Sequence, residues 1–421
     1  MVDISVVIPV LNEAGNIALL NQKIREVLLR VTSQFEIIFV DGGSRDDTVK
    51  IAQETGARVL LQSGPGFGQA VLDGLSSARG KFIVTMDADF SHPPEFILTM
   101  LKQLSTADLI IASRYIKGGG SKAGWLRSVV SRSLCFFFSY GLAIPVKDIT
   151  SGFRVLKREI VSTINIQGRE FEVEPEILIN AYAKGWRIKE VPFYYEPRRS
   201  GSSHISSKVF KLARGYLKVF WRIYQKRGFI DFADYDERAY NSRNIIQRYW
   251  QRRRYKVIMG FLESKGLVGD LGCGSSKIIQ DLPLAVAVDL SLDKLRYIRK
   301  KNKYLVNASI GTLPFKNESF SSLICSEVIE HTLEADIFSE MHRILAKGGI
   351  LVLGTPDYSS WRWRVIEFLY GLLKPGGYKD KHIAQYSRFR LENILVNHGF
   401  CILDHRYICG SEFILKARKD R

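Results

Sequence analysis

Apolar, β-branched runs recur along this chain, spaced to leave room for one helix between neighbours, and several end abruptly in acidic or glycine-rich turns. In the first half they fill residues 4–9, 36–40, 58–61, 81–86 and 109–112, with helical stretches at 16–30, 46–54 and 70–78 between them. In the second half they fill 268–271, 285–289, 305–308, 322–325, 350–354, 401–407 and 413–417. Strands separated by helices predict a parallel sheet covered on both faces. The last two runs lie close together and are expected to pair antiparallel at a sheet edge. Two such series share 421 residues, and one core rarely grows past ~250–300 residues. Two Rossmann-like α/β domains are therefore expected, 1–230 and 231–421, with the boundary near 228–234, where glycine and an acidic cluster end one helical run.

The formal net charge of +18 points to an anionic partner: a membrane surface, nucleic acid or a phosphorylated substrate. The five cysteines, Cys135, Cys273, Cys325, Cys401 and Cys409, are odd in number and contain no CxxC. This argues against a disulfide framework and for a reducing, cytoplasmic setting. The N-terminus has no basic start or cleavage site, so no signal peptide is expected. The greasiest stretch, 134–146, is broken by Ser139, Gly141 and Pro145 and falls short of the ~20 apolar residues a spanning helix needs.

Three motifs of the first half sit where strands end, which is where open α/β sheets bind ligands. They are residues 9–13 (PVLNE), 41–48 (DGGSRDDT) and 87–89 (DAD). Asp87 and Asp89 are two apart; on a strand such residues share a face, so their carboxylates are expected to converge. Two carboxylates suit Mg²⁺ or Mn²⁺ bound together with substrate phosphates.

The segments VVIPVLNE, EIIFVDGGSRDDT, GPGFGQAVLDGLSSARGKFIVTMDADFSHPPEFI, ASRYIKGG and DITSGFRVLKRE resemble family 2 glycosyltransferases. They look most like dolichol-phosphate mannose synthases and related polyprenyl-phosphate sugar transferases, over about residues 1–207. The resemblance implies a GT-A nucleotide-diphospho-sugar transferase fold. It implies that Pro9, Glu13 and Asp41 line the nucleotide-sugar pocket, and that Asp87 and Asp89 hold the metal and diphosphate. Gly64, Gly66 and Gly68 would let backbone approach the nucleotide. The chemistry implied is inversion at the anomeric carbon by a lipid phosphate. That acceptor is already anionic and needs no general base, so positioning and charge stabilisation suffice. The planar fork of arginine suits a phosphate. The candidates are Arg114, Arg127, Arg132 and Arg154, with the choice between Arg127 and Arg132 left open. Glu174 falls in a segment near the acceptor side, and Arg198, Arg199, Ser202 and Ser203 in an acceptor loop.

Residues 206–227 carry Lys208, Lys211, Arg214, Lys218, Arg222 and Lys226 at spacings of three or four, with Phe210, Leu212, Leu217, Phe220, Trp221 and Tyr224 opposite. This predicts an amphipathic basic helix lying on an anionic lipid interface. At about 1 kcal/mol per basic residue near such a surface, it would make the protein peripheral at the inner face of the cell membrane.

In the second half, residues 268–274 (VGDLGCG) turn an apolar run into a glycine loop, and Asp289 ends the next run, 19 residues after Asp270. An acidic residue at that distance commonly takes a ribose hydroxyl pair. Lys277 stands where a dinucleotide fingerprint would want its third glycine, which disfavours NAD. With NASIGTLPFKNESFSSLICSEVIEH and ILAKGGILVLGTP, the region 249–417 resembles class I methyltransferases, which have a seven-stranded sheet and use S-adenosylmethionine. The resemblance implies methionine-end contacts from Asp270, Gly272 and Gly274, ribose on Asp289, and adenine near Ser309 and Ile310. If the methyl acceptor is a hydroxyl, His331 or His382 is a candidate base.

The reading is a bifunctional transferase. It would move a hexose from a nucleotide sugar (GDP-mannose or UDP-glucose type) to a polyprenyl or dolichyl phosphate, and a methyl group to a glycan, lipid or related acceptor. The alternatives are a glycosyltransferase acting on a non-lipid glycan and a basic nucleic-acid-binding methyltransferase. No nucleic-acid module is visible, so no nucleic-acid partner is expected. The oligomeric state is left open.

Overall fold

The computed structural model describes residues 2–122, 124–196, 209–227, 232–262, 266–302, 304–333, 336–373 and 382–420. Residue contacts divide the chain into two compact units, Met1–Gly228 and Phe229–Arg421.

The first unit contains β1 (Ile4–Val10), β2 (Phe35–Asp41), β3 (Arg58–Leu61), β4 (Phe82–Thr85), β5 (Leu109–Ser113), β6 (Gly120–Ser121), β7 (Arg154–Lys157), β8 (Ile188–Pro192) and β9 (Tyr194–Tyr195). Seven form one sheet in the order β3-β2-β1-β4-β7-β5-β8, and β6 pairs with β9. The central strands β1 and β2 are buried almost throughout, which is why they read as continuous apolar runs. The helix Phe67–Ser77 lies so close over them that a Cβ on Gly74 would stand 2.2 Å from Val7 Cγ1 and 3.0 Å from Val40 Cγ2.

The sheet is not all-parallel as predicted. β7 runs antiparallel to both β4 and β5, while β8 is parallel to β5. In RVLK only Val155 and Leu156 are apolar, and the flanking Arg154 and Lys157 hide the strand from a hydrophobicity reading. The inner pair nevertheless is fully buried, because β7 fills the space between β4 and β5.

In the helix Val209–Arg227, Arg214 and Lys218 are exposed, but the apolar residues do not share one environment. Tyr216, Val219, Phe220 and Ile223 are buried, while Leu217, Trp221 and Tyr224 are exposed. Arg222 is drawn into contact with Glu176 and Gln167. Phe220 packs on Phe137 and Phe138 of the helix Trp125–Gly141, with ring centroids 4.2 and 5.3 Å apart. That second helix exposes Trp125, Val129, Val130, Phe136 and Tyr140. The side chains of Lys208, Phe210, Lys211, Leu212 and Lys226, and residues 198–203, lie outside the described residues. Among the described residues no helix is long and apolar enough to cross a membrane.

The second unit contains β10 (Val268–Leu271), β11 (Val286–Asp289), β12 (Leu305–Asn307), β13 (Phe320–Ser326), β14 (Leu345–Pro356), β15 (Phe400–Ile408) and β16 (Glu412–Lys419), in the order β12-β11-β10-β13-β14-β16-β15. The first five are parallel. β16 pairs antiparallel with β14 and β15, which puts the predicted hairpin at the edge. The helix Ile245–Phe261 begins at an Asn244 cap whose side chain accepts from the N–H groups of Ile246 and Gln247. Val257, Ile258 and Phe261 pack on Ile324, Ile350, Val352 and Ile414 of the sheet.

Candidate functional site

In the first unit, parallel pairing aligns the ends of β1 and β2, with Val10 opposite Asp41. Beyond β1, Asn12 adopts a left-handed backbone (φ 55°), and its side chain accepts from the Arg45 N–H at 2.8 Å while its own N–H donates to Ser44 Oγ at 2.9 Å. The Glu13 N–H donates to Thr48 Oγ1, and the Glu13 carboxylate accepts from Asn16 at 2.6 Å. Pro9 stays within β1. Asp41 is buried and accepts from the N–H groups of Gly43 and Ser44 and from the Ser44 hydroxyl. Its carboxylate holds the turn that carries the second motif.

Asp87 and Asp89 lie in the bend after β4, which ends at Thr85. Strand alternation therefore does not set their directions. Their common reference is His92: its Nδ1 accepts from the Asp87 N–H at 2.9 Å and lies 3.9 Å from the Asp87 carboxylate. Burial pushes the His92 ring below its usual pKa, against the pull of Asp87 and then Asp89. The ring stacks on Phe153 at 4.7 Å. Asp89 is buried, and one of its oxygens accepts from the Ser91 N–H at 3.1 Å. The Asp87 side chain is 41% exposed. The bend thus offers one buried and one exposed carboxylate, the donor type that a divalent cation shared with phosphate takes.

Beyond β5, Arg114 grips the fully buried Asp148 with two parallel bonds, Nε to Oδ2 and Nη2 to Oδ1, both 2.8 Å, and Nη2 also reaches Thr150. These bonds raise the guanidinium pKa even though burial opposes them. The Tyr115 ring is approached by both Arg114 and Arg132, whose guanidinium carbons stand 5.0 and 5.3 Å from its centroid. Arg132 is exposed; the Arg127 side chain lies outside the described residues. Arg154 is 1% exposed and donates to the carbonyls of Ile149, Ser151 and Glu174. Its neighbours are protein, which removes it from direct contact with an acceptor.

Gly66 and Gly68, expected to let backbone approach the nucleotide, lie against the chain's own residues 169–170. A Cβ on Gly66 (φ 104°) would stand 2.2 Å from the Arg169 carbonyl oxygen, and one on Gly68 2.7 Å from the Arg169 carbon. They make room for the chain's own backbone. Gly64 meets only Gln69. His92 and Asp148 escaped the sequence reading. A lone histidine carries little signal, and Asp148 is 34 residues from its arginine.

In the second unit, Asp270 lies one residue before the end of β10, buried, with Oδ2 lacking a hydrogen-bond partner. Burial, Asp289 and Asp236 push its carboxyl up to about 8. Gly272 (φ 71°) and Gly274 (φ 56°) turn the loop with left-handed backbone. The Gly272 N–H donates to the Val288 carbonyl at 2.8 Å. Asp289 accepts from the N–H groups of Gly274 and Ser291 at 2.8 and 2.7 Å. Asp236 sits on the loop, accepting from the Ser275 N–H at 2.9 Å, with Lys294 3.8 Å away. Sequence reading used its acidic neighbourhood only as a boundary. Ser309 accepts from the Gly311 N–H through its hydroxyl. Ile310 is buried in the core with Leu271 and Val288. His331 and His382, far apart in sequence, come together with ring centroids 4.9 Å apart. Burial and His331 hold His382 down to about 4, so its imidazole is neutral near pH 7.

The glycosyl transferase family 2 profile matches residues 5–164, and a methyltransferase-domain profile matches residues 269–353. The chain carries a family 2 glycosyltransferase domain followed by a methyltransferase domain. The glycosyltransferase domain is similar to the dolichol-phosphate mannosyltransferase of Pyrococcus furiosus, at 32% identity over 241 residues. That match takes in 54% of this chain and 65% of the relative, so the chain spans less than two thirds of that protein's length. An uncharacterized glycosyltransferase of Mycobacterium bovis is 27% identical over 223 residues, 52% of this chain and 97% of the relative. Among solved structures, the glucosyl-3-phosphoglycerate synthase of Mycobacterium tuberculosis, crystallised with Mn²⁺, UDP and phosphoglyceric acid, matches 54% of this chain and 78% of its own at 24% identity and TM-score 0.43.

Proposed function

We propose that the glycosyltransferase domain transfers a hexose from a nucleotide sugar to a polyprenyl phosphate at an anionic membrane surface, with inversion, and that the methyltransferase domain transfers a methyl group from S-adenosylmethionine to a glycan, lipid or related acceptor. The observation that carries the acceptor class is the grouping of Arg114 and Arg132 on the Tyr115 ring. Arg132 is an exposed cation on the helix Trp125–Gly141, whose outward face is apolar at Val129, Val130, Phe136 and Tyr140. A cation set among exposed apolar side chains suits an anionic headgroup with a hydrocarbon tail. The likeness to the Pyrococcus mannosyltransferase supports the same reading, and the outward Leu217, Trp221 and Tyr224 extend the apolar surface.

Asp87 and Asp89 would hold Mg²⁺ or Mn²⁺, and Pro9, Glu13 and the Asp41 turn the nucleoside. A bound cation neutralises the leaving diphosphate. His92 fixes the loop that presents both carboxylates, Arg114 holds the Asp148 loop, and Arg132 binds the acceptor phosphate. Arg154 acts as a positioning residue by anchoring residues 149–151.

In the methyltransferase domain, Asp270, Asp289 and Asp236 gather at the glycine loop, and Lys294 answers Asp236 and Asp289. Asp289 and Asp236 against one ammonium leave the pocket negative even while the Asp270 carboxyl, held up to about 8, keeps its proton near pH 7, and the sulfonium and α-amine of S-adenosylmethionine are both cationic. The orphaned Asp270 Oδ2 fits that charge, and Asp289 would take the ribose. The cofactor supplies the electrophilic methyl group; Gly272, Gly274 and Asp236 shape the loop that orients it.

The deciding test is sugar transfer from a panel of nucleotide sugars with Mg²⁺ or Mn²⁺, with and without polyprenyl phosphate. Lipid-dependent turnover of one donor is the expected result. Equal transfer to a water-soluble acceptor overturns the lipid reading and leaves a glycosyltransferase of another acceptor class.

A further inference from the structure

The methyltransferase domain brings Glu330, His331 and His382 into a group that the glycine loop and its carboxylates do not use. One ligand atom from each lies within 4.8 Å of the others. Ligands held at about 2.0–2.2 Å around one ion stand some 3–4 Å apart, so small side-chain rotations close this set on a cation. The position is built. Glu330 and His331 form a short 3-10 turn, Ile329–His331, just beyond β13. The N–H groups of Ile383 and Ala384 donate to the Glu330 carbonyl at 2.8 and 3.0 Å, which straps His382 beside it. Tyr358 hydrogen-bonds His382 Nδ1 at 2.5 Å, and Trp363 stacks on the ring with planes 16° apart. Such outer contacts orient a ligating histidine, and with Nδ1 engaged a cation would take Nε2.

A second observation points to a ligand. Glu330 is fully buried; its Oε2 accepts from Thr355 at 3.1 Å, and its Oε1 has no hydrogen-bond partner. A buried carboxylate oxygen without a partner is costly. The neighbouring guanidinium, Arg254, is already paired with Glu327 and Glu412, at 3.2 and 2.6 Å. We propose that Glu330, His331 and His382 hold a first-row divalent cation of the zinc or manganese class, which takes an oxygen of the methyl acceptor. Two imidazoles and one carboxylate select such an ion over Mg²⁺ or Ca²⁺ and leave coordination positions open. The role toward the acceptor rests on the methyl-transfer reading; the cation site itself does not.

The test uses the full chain carrying Asp89→Ala, which removes the cation site proposed in the glycosyltransferase domain. Equilibrium dialysis against Zn²⁺ and Mn²⁺ is expected to retain one equivalent per chain. Adding His382→Ala or, separately, Glu330→Gln should weaken retention at least tenfold, with circular dichroism unchanged. The Co²⁺-loaded chain should show visible bands that shift in His331→Asn. No retained cation, or equal retention in the parent and both variants, overturns the site. S-adenosylmethionine titrations of the same samples separate the two ideas. Cofactor binding without cation binding sinks the cation site alone, and cation binding without cofactor binding sinks the methyl-transfer reading alone.

Discussion

Arg154 Nη1 and Glu174 Oε2 lie 3.0 Å apart, and both side chains are almost wholly withdrawn from water. Burial raises the Glu174 pKa and Arg154 opposes the rise. The same guanidinium ties down three backbone carbonyls, so the pair acts as a hub for residues 149–151 and the helix Val173–Ala183. Removing one partner of a buried pair strands the other charge at a cost of about 3–5 kcal/mol, whereas replacing both with apolar groups often costs little. Arg154→Met should destabilise the glycosyltransferase domain by about that amount, and adding Glu174→Leu should recover part of it. Urea unfolding followed by tryptophan fluorescence checks both.

Asp89→Ala should lower metal-dependent sugar transfer by about two orders of magnitude or more, the scale seen when a single preorganised charge-stabilising group is removed. Excess Mn²⁺ should rescue little, because the lost ligand is the buried member of the pair. Transfer rates measured across a Mn²⁺ series decide this; wild-type rates in the variant would remove Asp89 from the metal site.

Arg132→Ala should raise the KM for polyprenyl phosphate by about 10–100-fold, the equivalent of one charge-assisted hydrogen bond of roughly 1.5–3 kcal/mol. Its exposed position predicts little change in thermal stability. Arg114→Ala should differ by also destabilising the fold, since it abandons the buried Asp148. Steady-state kinetics beside thermal melts distinguish the two roles.

Trp221→Glu and Phe136→Glu should each reduce co-sedimentation with anionic vesicles several-fold, since each puts a negative charge on an exposed apolar face. Binding should also fall as salt rises. Unchanged sedimentation of the double variant would remove this face from the membrane reading.

Asp270 supplies a pH dependence of definite sign. Burial, then Asp289 and Asp236, push its carboxyl from the ordinary 3.8 up to about 8, so the folded state holds the proton more tightly than the unfolded chain. That contribution is full below about pH 4 and is lost as pH rises toward 8. The ligand-free protein should therefore lose thermal stability over this window, and Asp270→Asn should lose less. S-adenosylmethionine, a cation, should narrow the difference. Melting curves at several pH values, with and without cofactor, measure it.

Much of this was legible from local pattern. The runs that became β1, β2, β10 and β11 are apolar because both faces of each sheet are covered, and the turns after them stand out because glycine and aspartate interrupt those runs. Asp87, Asp89, Asp270 and Asp289 could be picked for the same reason. β7 was not legible, since a four-residue strand that begins with arginine and ends with lysine carries no periodic signal, and it alone reversed the all-parallel order expected of the first unit.

What the sequence by itself determined is the pair of α/β domains and the places where their strands end, because strand and helix periodicity and turn chemistry act over a few residues. What only the tertiary structure decided is which charged groups meet. Asp148 takes Arg114 across 34 residues, Asp236 settles on the glycine loop across 39, and His382 reaches His331 across 51. Those meetings depend on how distant segments fill one volume and satisfy one another's buried polar atoms, and no local spacing encodes them.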